Sequence, residues 1–114
     1  MKIDKSLISG STTMLILKLL ETNDMYGYKM IEELERLSEN VFTLKAGTLY
    51  PLLHNLEQKN MIESYTKLSE NERSRKYYKI TRQGQTFLKE KKSEWNAYIS
   101  TVNKVLGGFN YAIN

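Results

Sequence analysis

The side chains best suited to chemistry lie between residues 45 and 55, among leucines that recur with helical spacing. From Leu49 to Leu56 the leucines follow an i, i+3, i+4, i+7 pattern, which is typical of the buried face of a helix. Polar and aromatic residues off that stripe are the ones able to reach a nucleic acid: Lys45, Thr48, Tyr50, His54 and Asn55. Hydroxyl groups near a helix start suit phosphate contacts, whereas imidazole and amide groups can hydrogen-bond to base edges.

Positive charge is concentrated further along the chain, from Lys67 to Lys92. This segment has nine Lys and Arg against three Glu, a net charge of 9 − 3 = +6, while the whole chain carries +4 and the remainder therefore 4 − 6 = −2. A mild overall excess is compatible with nucleic acid, an acidic membrane or no charged partner. Cations neutralise phosphates and release counterions, so four of these residues are candidate phosphate contacts. They are Lys67, Arg73, Arg75 and Lys76.

Composition argues against enzymatic and metal chemistry. With no cysteine among 114 residues there is no disulfide, thiolate zinc site or cysteine nucleophile. His54 is the single histidine, so a tetrahedral metal site lacks its usual ligands. Nothing in the sequence offers His54 a nucleophile together with an orienting acid. We therefore expect no catalytic residue, no metal and no cofactor.

The first residues contain no targeting pattern. The apolar stretch that follows Met1–Lys5 is interrupted by Lys18, and it has no small-residue cleavage site. It is also too short between charges to span a bilayer. The sequence thus predicts a cytoplasmic protein without a membrane partner.

Three amphipathic helices are predicted in the first half of the chain. Apolar periodicity indicates a helix over Ser6–Thr22, a second over Tyr26–Ser38 and a third around the leucines from Leu49. The start of the third helix is open, because Thr43 resembles an N-cap whereas Pro51 favours a first helical turn. Asn60, directly after this helix, can adopt the left-handed conformation that ends it.

A β-hairpin is predicted next. Met61–Thr66 and Arg75–Ile80 are rich in β-branched and aromatic residues and are separated by the polar run Lys67–Ser74. Strand alternation would bury Ile62, Ile80 and either Tyr77 or Tyr78, leaving the other tyrosine hydroxyl for a phosphate.

Thr81 is predicted to cap a long final helix with apolar residues at near-heptad spacing. These residues are too many for one small body to bury, so we expect them at a dimer interface: Leu88, Trp95, Tyr98, Ile99, Val102, Leu106 and Phe109.

Three helices followed by a basic hairpin are typical of a winged helix-turn-helix, in which the third helix enters the major groove and the hairpin, or wing, lies along a phosphate backbone. The predicted fold class is therefore mainly α, formally α+β, with a long C-terminal dimerisation helix. We expect residues 1–80 to form the DNA-binding domain and residues 81–114 the dimerisation helix.

Several motifs resemble the PadR family of bacterial transcriptional regulators. They are Tyr26-Gly27-Tyr28, Gly47-Thr48-Leu49-Tyr50-Pro51, Leu56-Glu57 and Arg75-Lys76-Tyr77-Tyr78, followed by Thr81 and Gly84. The resemblance covers almost the whole chain and implies a homodimeric repressor, released by a small molecule, that binds double-stranded DNA at an inverted-repeat operator. The short chain is similar to the subfamily with a single C-terminal helix.

Carried over to this chain, the DNA contacts of the family fall mainly on the third helix and the wing. They fall on Lys45, Thr48, Tyr50, Pro51, His54 and Asn55, with Tyr28 near the backbone and Arg73, Arg75 and Lys76 on the wing. Two departures are visible: Asn60 stands where relatives often have glycine, and the wing segment 69–74 has no glycine but contains Glu70 and Glu72. We therefore expect weaker contacts from the wing than from the third helix.

Trp95 has two possible roles. As an apolar residue on the final helix it would belong to the core of the dimer interface. Resemblance to short family members implies instead a platform that stacks a planar aromatic small molecule. A third alternative for the whole chain is a protein-interaction module that kept the fold without binding DNA.

Overall fold

The computed structural model describes residues 2–107, which form five helices and one small antiparallel sheet. The elements in chain order are α1 (Lys5–Ser9), α2 (Thr12–Thr22), β1 (Met25–Tyr26), α3 (Gly27–Leu37), α4 (Ala46–Gln58), β2 (Ile62–Leu68), β3 (Ser74–Ile80) and α5 (Arg82–Leu106). The strand order is β1-β3-β2. This α+β architecture, with α3 and α4 followed by the β2–β3 hairpin, confirms the predicted winged helix-turn-helix.

The first predicted helix is in fact two, because the chain turns between Ser9 and Thr12. The amide of Ser11 donates to the carbonyl of Ile8 at 3.0 Å, which closes a tight turn in place of a continuous α-helix. The hydroxyl of Thr12 bonds the same carbonyl at 2.9 Å. The single helix predicted over Ser6–Thr22 is therefore wrong, although its second part coincides with α2.

The start of α4 resolves the two alternatives for the third helix. It begins at Ala46, with Lys45 as its N-cap residue, and Pro51 lies inside it. The earlier start is thus confirmed, but the cap predicted at Thr43 is wrong. Leu49 and Leu53 on its inner face are fully buried.

The core lies where α2, α3 and α4 meet the sheet and the first turns of α5. Its largest fully buried side chains are Ile16, Leu17, Leu20, Met30, Leu49, Leu53, Ile62 and Leu88. Leu88 corrects an expectation, because it is 1 % exposed and packs inside its own chain. It therefore has no surface to offer a second subunit; the near-heptad pattern could not separate the turns of α5 that pack on the body from those beyond it.

The sheet contains a strand that periodicity did not predict. Tyr26 pairs with Tyr77, and Met25 with Tyr78, so the two-residue β1 borders β3 on the side away from β2. Both Tyr77 and Tyr78 are buried, whereas we expected only one of them to be. Tyr78 belongs to the core, and the ring of Tyr77 is covered by Tyr26 at 5.4 Å and by Tyr65 at 5.8 Å between centroids.

The junction between α4 and α5 is tightly built. Thr81 caps α5 as predicted, since its hydroxyl accepts from the amide of Gly84 at 2.9 Å. The same oxygen lies 2.7 Å from the carbonyl oxygen of Asn60, which adopts the predicted left-handed conformation with φ 61°. Gly84 sits against the carbonyl of Met61 so closely that a Cβ would not fit. The end of α4 and the start of α5 are therefore fixed to each other.

The whole of α5, Arg82–Leu106, has 25 residues, and Gly107, its C-cap residue, adopts the left-handed conformation. At 1.5 Å per residue its length is about 37 Å. Tyr98, Ile99 and Leu106 are exposed along it, and Val102 is half-buried. Phe109, the last residue predicted for the dimer interface, lies outside the described residues.

Candidate nucleic-acid interface

The outer face of α4 gathers the candidate residues of the third predicted helix. Thr48, Tyr50, Pro51, His54 and Asn55 are all exposed, and Lys45 is exposed directly before the helix. The buried residues Leu49, Leu53 and Leu56 occupy the opposite face. Hydrogen-bond donors, acceptors and the ring of Pro51 thus form one outer surface from Lys45 to Asn55.

Tyr50 connects α4 to the start of α3. Its ring lies over Gly27, where a Cβ would collide with the phenol. Burial raises the pKa of the Tyr50 hydroxyl above its ordinary value; the hydroxyls of Tyr28 and Tyr78 raise it further, and the charge of Arg75 opposes them. At neutral pH the hydroxyl is therefore a neutral hydrogen-bond donor.

Arg75 is half-buried and held in place on the face of the wing that carries Tyr65 and Tyr77. Its guanidinium carbon lies 4.3 Å from the ring centroid of Tyr26, and its Nε donates to the hydroxyl of Ser69 at 3.3 Å. Lys67, directly across the hairpin, has its ammonium 4.5 Å from the ring centroid of Tyr77. Cation–π contacts of this kind restrict long side chains without neutralising them. Both cations are therefore oriented by aromatic rings.

Lys76 occupies the other face of the wing, since neighbouring strand residues point to opposite sides. Its Nζ lies 3.7 Å from Oε1 of Glu57 on α4, and the second oxygen of Glu57 accepts from the hydroxyl of Ser64 at 2.6 Å. The structure thus separates Lys76 from Arg75, although the two are adjacent in sequence. Arg73 is exposed at the wing tip.

The wing tip closes without glycine. Glu72 adopts φ 60°, and its amide donates to the carbonyl of Ser69 at 2.9 Å. The amide of Ser69 donates to the carbonyl of Arg73 at 2.7 Å, which joins the two sides of the turn. Glu72 therefore takes the conformation that glycine adopts most readily, and Glu70 and Glu72 are exposed beside Arg73.

Sequence reasoning missed one contact that holds the wing to the body. The hydroxyl of Tyr65 donates to Oδ2 of Asp24 at 2.6 Å, across 41 residues of sequence. This hydrogen bond is the largest contribution that raises the pKa of Tyr65 to about 12. The available signal was the cross-strand position of Tyr65 opposite Tyr77, but Asp24 could be found only once β1 was known.

Trp95 lines a groove of about 410 Å³ between α2, α4 and α5. Its floor is apolar, with Met14, Leu52 and Phe87, and Lys59, Lys91 and Glu94 also line it. The ring centroid of Tyr98 lies 6.2 Å from that of Trp95. Asn55 belongs both to this groove and to the outer face of α4, so the groove reaches the candidate interface.

Four exposed apolar side chains escaped the sequence patterns, among them Leu37 on α3 and Leu68 on β2, which are 60 % and 66 % exposed. Leu7 on α1 is 62 % exposed, and Val105 near the end of α5 is 83 % exposed. Within residues 2–107, no group of three or more His, Asp or Glu side chains could hold a metal ion. None of the helices in that range is both long and apolar enough to cross a membrane.

Comparisons with known proteins agree on one family. The model of the PadR-like transcriptional regulator family matches residues 16–90. A transcriptional regulator from Clostridium thermocellum has 32 % identity and a TM-score of 0.82, with 90 % of this chain and 96 % of that chain covered. A PadR-like transcriptional regulator from Bacillus cereus has 31 % identity and a TM-score of 0.79, with coverage of 90 % and 98 %.

An uncharacterized protein from Lysinibacillus sphaericus is 37 % identical over 89 residues, which are 78 % of this chain and 82 % of that protein. The family match covers more than half of the chain, and it coincides with the winged fold and with the exposed face of α4. The chain therefore belongs to the PadR-like family of DNA-binding transcriptional regulators, and not to a family of enzymes.

Proposed function

We propose that this protein is a homodimeric repressor that binds an inverted-repeat operator and is released by a small-molecule effector. One observation carries the DNA-binding part: α4 exposes Lys45, Thr48, Tyr50, His54 and Asn55 on the face opposite its buried leucines. In this proposal the outer face of α4 enters the major groove, and the wing cations contact phosphates. Such a regulator acts in the cytoplasm, where bacterial DNA is.

The residues proposed to bind DNA are those predicted from the sequence: Tyr28, Lys45, Thr48, Tyr50, Pro51, His54, Asn55, Lys67, Arg73, Arg75 and Lys76. Their contributions are not equal. Arg75 is oriented and carries no carboxylate partner among the described residues, whereas Lys76 is paired with Glu57. We therefore assign Arg75 a larger share of the phosphate contacts than Lys76.

Dimerisation is proposed to use the part of α5 that projects from the body, within residues 81–114. Exposed Tyr98, Ile99 and Leu106, with half-buried Val102, supply apolar surface there. Burying such surface against a second copy would stabilise the dimer by the hydrophobic effect. In a dimer, two copies of α4 about 34–36 Å apart would match successive major grooves.

A mobility-shift titration tests the DNA-binding part, with DNA from upstream of the protein's own gene as the probe. Tyr50→Ala and Arg75→Ala should each weaken binding about tenfold or more. Arg36→Ala is the matched control, since Arg36 is an exposed arginine paired with Glu33. Unchanged affinity in both test variants would refute the proposed interface.

An aromatic-ligand sensor is the second candidate, because Trp95 and Tyr98 line a groove that reaches Asn55 on α4. A planar compound stacked on Trp95 would lie in the same subunit as the proposed DNA contacts and in the groove that Asn55 also lines. Trp95 is the only tryptophan of the chain, so its fluorescence reports directly. Saturable quenching of Trp95 fluorescence by planar aromatic compounds, together with a change in DNA affinity, would support the sensor role. If no compound in a broad panel of planar aromatics quenches the fluorescence, Trp95 does not have this role.

A further inference from the structure

Gly47 lies on the outer face of α4 with empty space where a side chain would be. Apart from its chain neighbours and the backbone of its own helix, no atom of residues 2–107 lies within 4 Å of the position of a Cβ at Gly47. Its φ is not positive, unlike that of Gly107. Neither internal packing nor backbone conformation therefore requires glycine at this position.

Three of the other four described glycines have evident internal reasons, and the fourth, Gly10, follows the end of α1 and is not inside a helix. Gly27 lies beneath the ring of Tyr50, Gly84 lies against the carbonyl of Met61, and Gly107 has φ 82°. A glycine inside a helix lowers stability relative to alanine, because it loses more conformational freedom on folding. At Gly47 no contact among residues 2–107 compensates for that cost.

Gly47 lies in a shallow depression on the exposed face of α4, between side chains that can donate hydrogen bonds. Successive helix residues turn by about 100°, so Gly47 and Pro51 lie in the middle of the exposed face, with Tyr50 on one flank and Thr48 on the other. Both flanking residues are exposed and carry hydroxyls, and exposed Lys45 precedes the helix. Hydroxyl and ammonium donors are typical partners of phosphate oxygens.

We propose that the sugar–phosphate backbone of DNA passes directly over Gly47, closer to the α4 backbone than any side chain would permit. Glycine is the residue that allows such an approach, since it leaves nothing between the main chain and a ligand. The proposal rests on the DNA-binding function and specifies its point of closest contact. It makes Gly47 a binding residue that contributes by having no side chain.

Gly47→Ala tests this proposal, because it should change stability and binding in opposite directions. The methyl group should raise Tm by about 4 °C, since alanine favours the helix. It should weaken DNA binding about tenfold or more, because it displaces the phosphate by about one carbon–carbon bond length, ~1.5 Å. Fluorescence anisotropy measures affinity for the upstream duplex and for a random-sequence duplex at low salt. Both should lose affinity, since every duplex has the same backbone.

Gly10→Ala is the matched control, because Gly10 also has a right-handed conformation and its added Cβ would make only an ordinary contact of 3.8 Å. Its DNA affinity should stay within about twofold of wild type. Wild-type affinity of Gly47→Ala on both duplexes, or an equal loss in Gly10→Ala, overturns the proposal. If wild-type protein binds the upstream duplex no more tightly than the random-sequence duplex, the proposed operator function is refuted. The affinities of wild type and Gly47→Ala for the random-sequence duplex still decide the role of Gly47.

Discussion

The hydroxyl of Tyr65 in the wing donates a 2.6 Å hydrogen bond to the carboxylate of Asp24, in the turn before β1. The ring of Tyr65 also stacks on that of Tyr77, with an interplanar angle of 16°. β2 is not hydrogen-bonded to β1, because β3 lies between them. This side-chain bond therefore joins the outer strand of the wing directly to the body of the protein.

Alkaline pH should weaken the protein through Tyr65. The hydrogen bond to Asp24 raises its pKa from 10.0 to about 12, so the folded state holds the proton more tightly than the unfolded state. This stabilisation is complete below pH 10 and is lost as the pH rises to about 12. Urea unfolding across this pH window should show a smaller decline for Tyr65→Phe than for wild type.

The control for this experiment is Tyr98→Phe, which removes an exposed hydroxyl that has no hydrogen bond within residues 2–107. Its free energy of unfolding should follow the wild-type pH dependence. At neutral pH, Tyr65→Phe should lose about 1 kcal/mol or less, as expected for a solvent-accessible hydrogen bond. An identical alkaline decline in Tyr65→Phe and wild type would contradict the assignment.

Arg75 and Lys76 should differ in their effect on the salt dependence of DNA binding. Arg75→Ala should reduce the slope of log affinity against log salt by about 1, the change expected when one phosphate contact is lost. Lys76→Ala should change the slope less, because the Lys76 ammonium is 3.7 Å from a Glu57 oxygen. Affinities measured at several salt concentrations give both slopes. A larger change in Lys76→Ala would reverse the proposed ranking.

Gly27→Ala should destabilise the protein, in contrast to Gly47→Ala. A Cβ at position 27 collides with the Tyr50 ring, and overpacking of this kind typically costs about 1–3 kcal/mol. In a Tyr50→Ala background the same substitution should cost much less, since the obstructing ring is gone. Urea denaturation of the two single variants and the double variant measures this coupling. Additivity to within about 0.5 kcal/mol would show that the contact carries no energy.

Thr81→Ala should lower the free energy of unfolding by about 1 kcal/mol, because it removes the N-cap of α5. Thr81→Ser keeps the hydroxyl and should remain close to wild type. Thr86→Ala is the control, since its exposed hydroxyl bonds only the Arg82 carbonyl within the same helix. Thermal unfolding compares the three variants. Equal destabilisation by serine and alanine would assign the role to the methyl group instead of the cap.

Sequence patterns correctly predicted the elements whose structure depends on residues close together in the chain. The amphipathic stripe of α3, the leucines of α4 and the Thr81 cap each follow from residues within a few turns of one another. β1 has only two residues, so it is too short to show periodicity, and its pairing with Tyr77 and Tyr78 spans half the chain. The division between α1 and α2 depends on hydroxyl bonds to Ile8, which apolar spacing does not reveal.

The features of the candidate nucleic-acid interface also divide into those that follow from local sequence and those that depend on tertiary packing. The exposed residues of α4 could be listed from the sequence because exposure follows from the leucine stripe. The pairing of Lys76 with Glu57 and of Tyr65 with Asp24 could not, because both depend on how the wing packs against the body. Leu88 shows the converse error: its spacing was read correctly, but its partner is the core of its own chain.

The contacts at Asn60, Thr81 and Gly84 fix the start of α5 to the end of α4, so a tilt of one helix is transmitted to the other. A rigid helix about 37 Å long that tilts by about 5° at its base displaces its far end by roughly 3 Å. Conversely, a small displacement of α5 near Leu106 would reorient α4 through the contacts at the start of α5. The wing would not take part in this movement. In the proposed dimer, the angle at this junction would therefore set the distance between the two copies of α4, and with it the operator spacing that the dimer can fit.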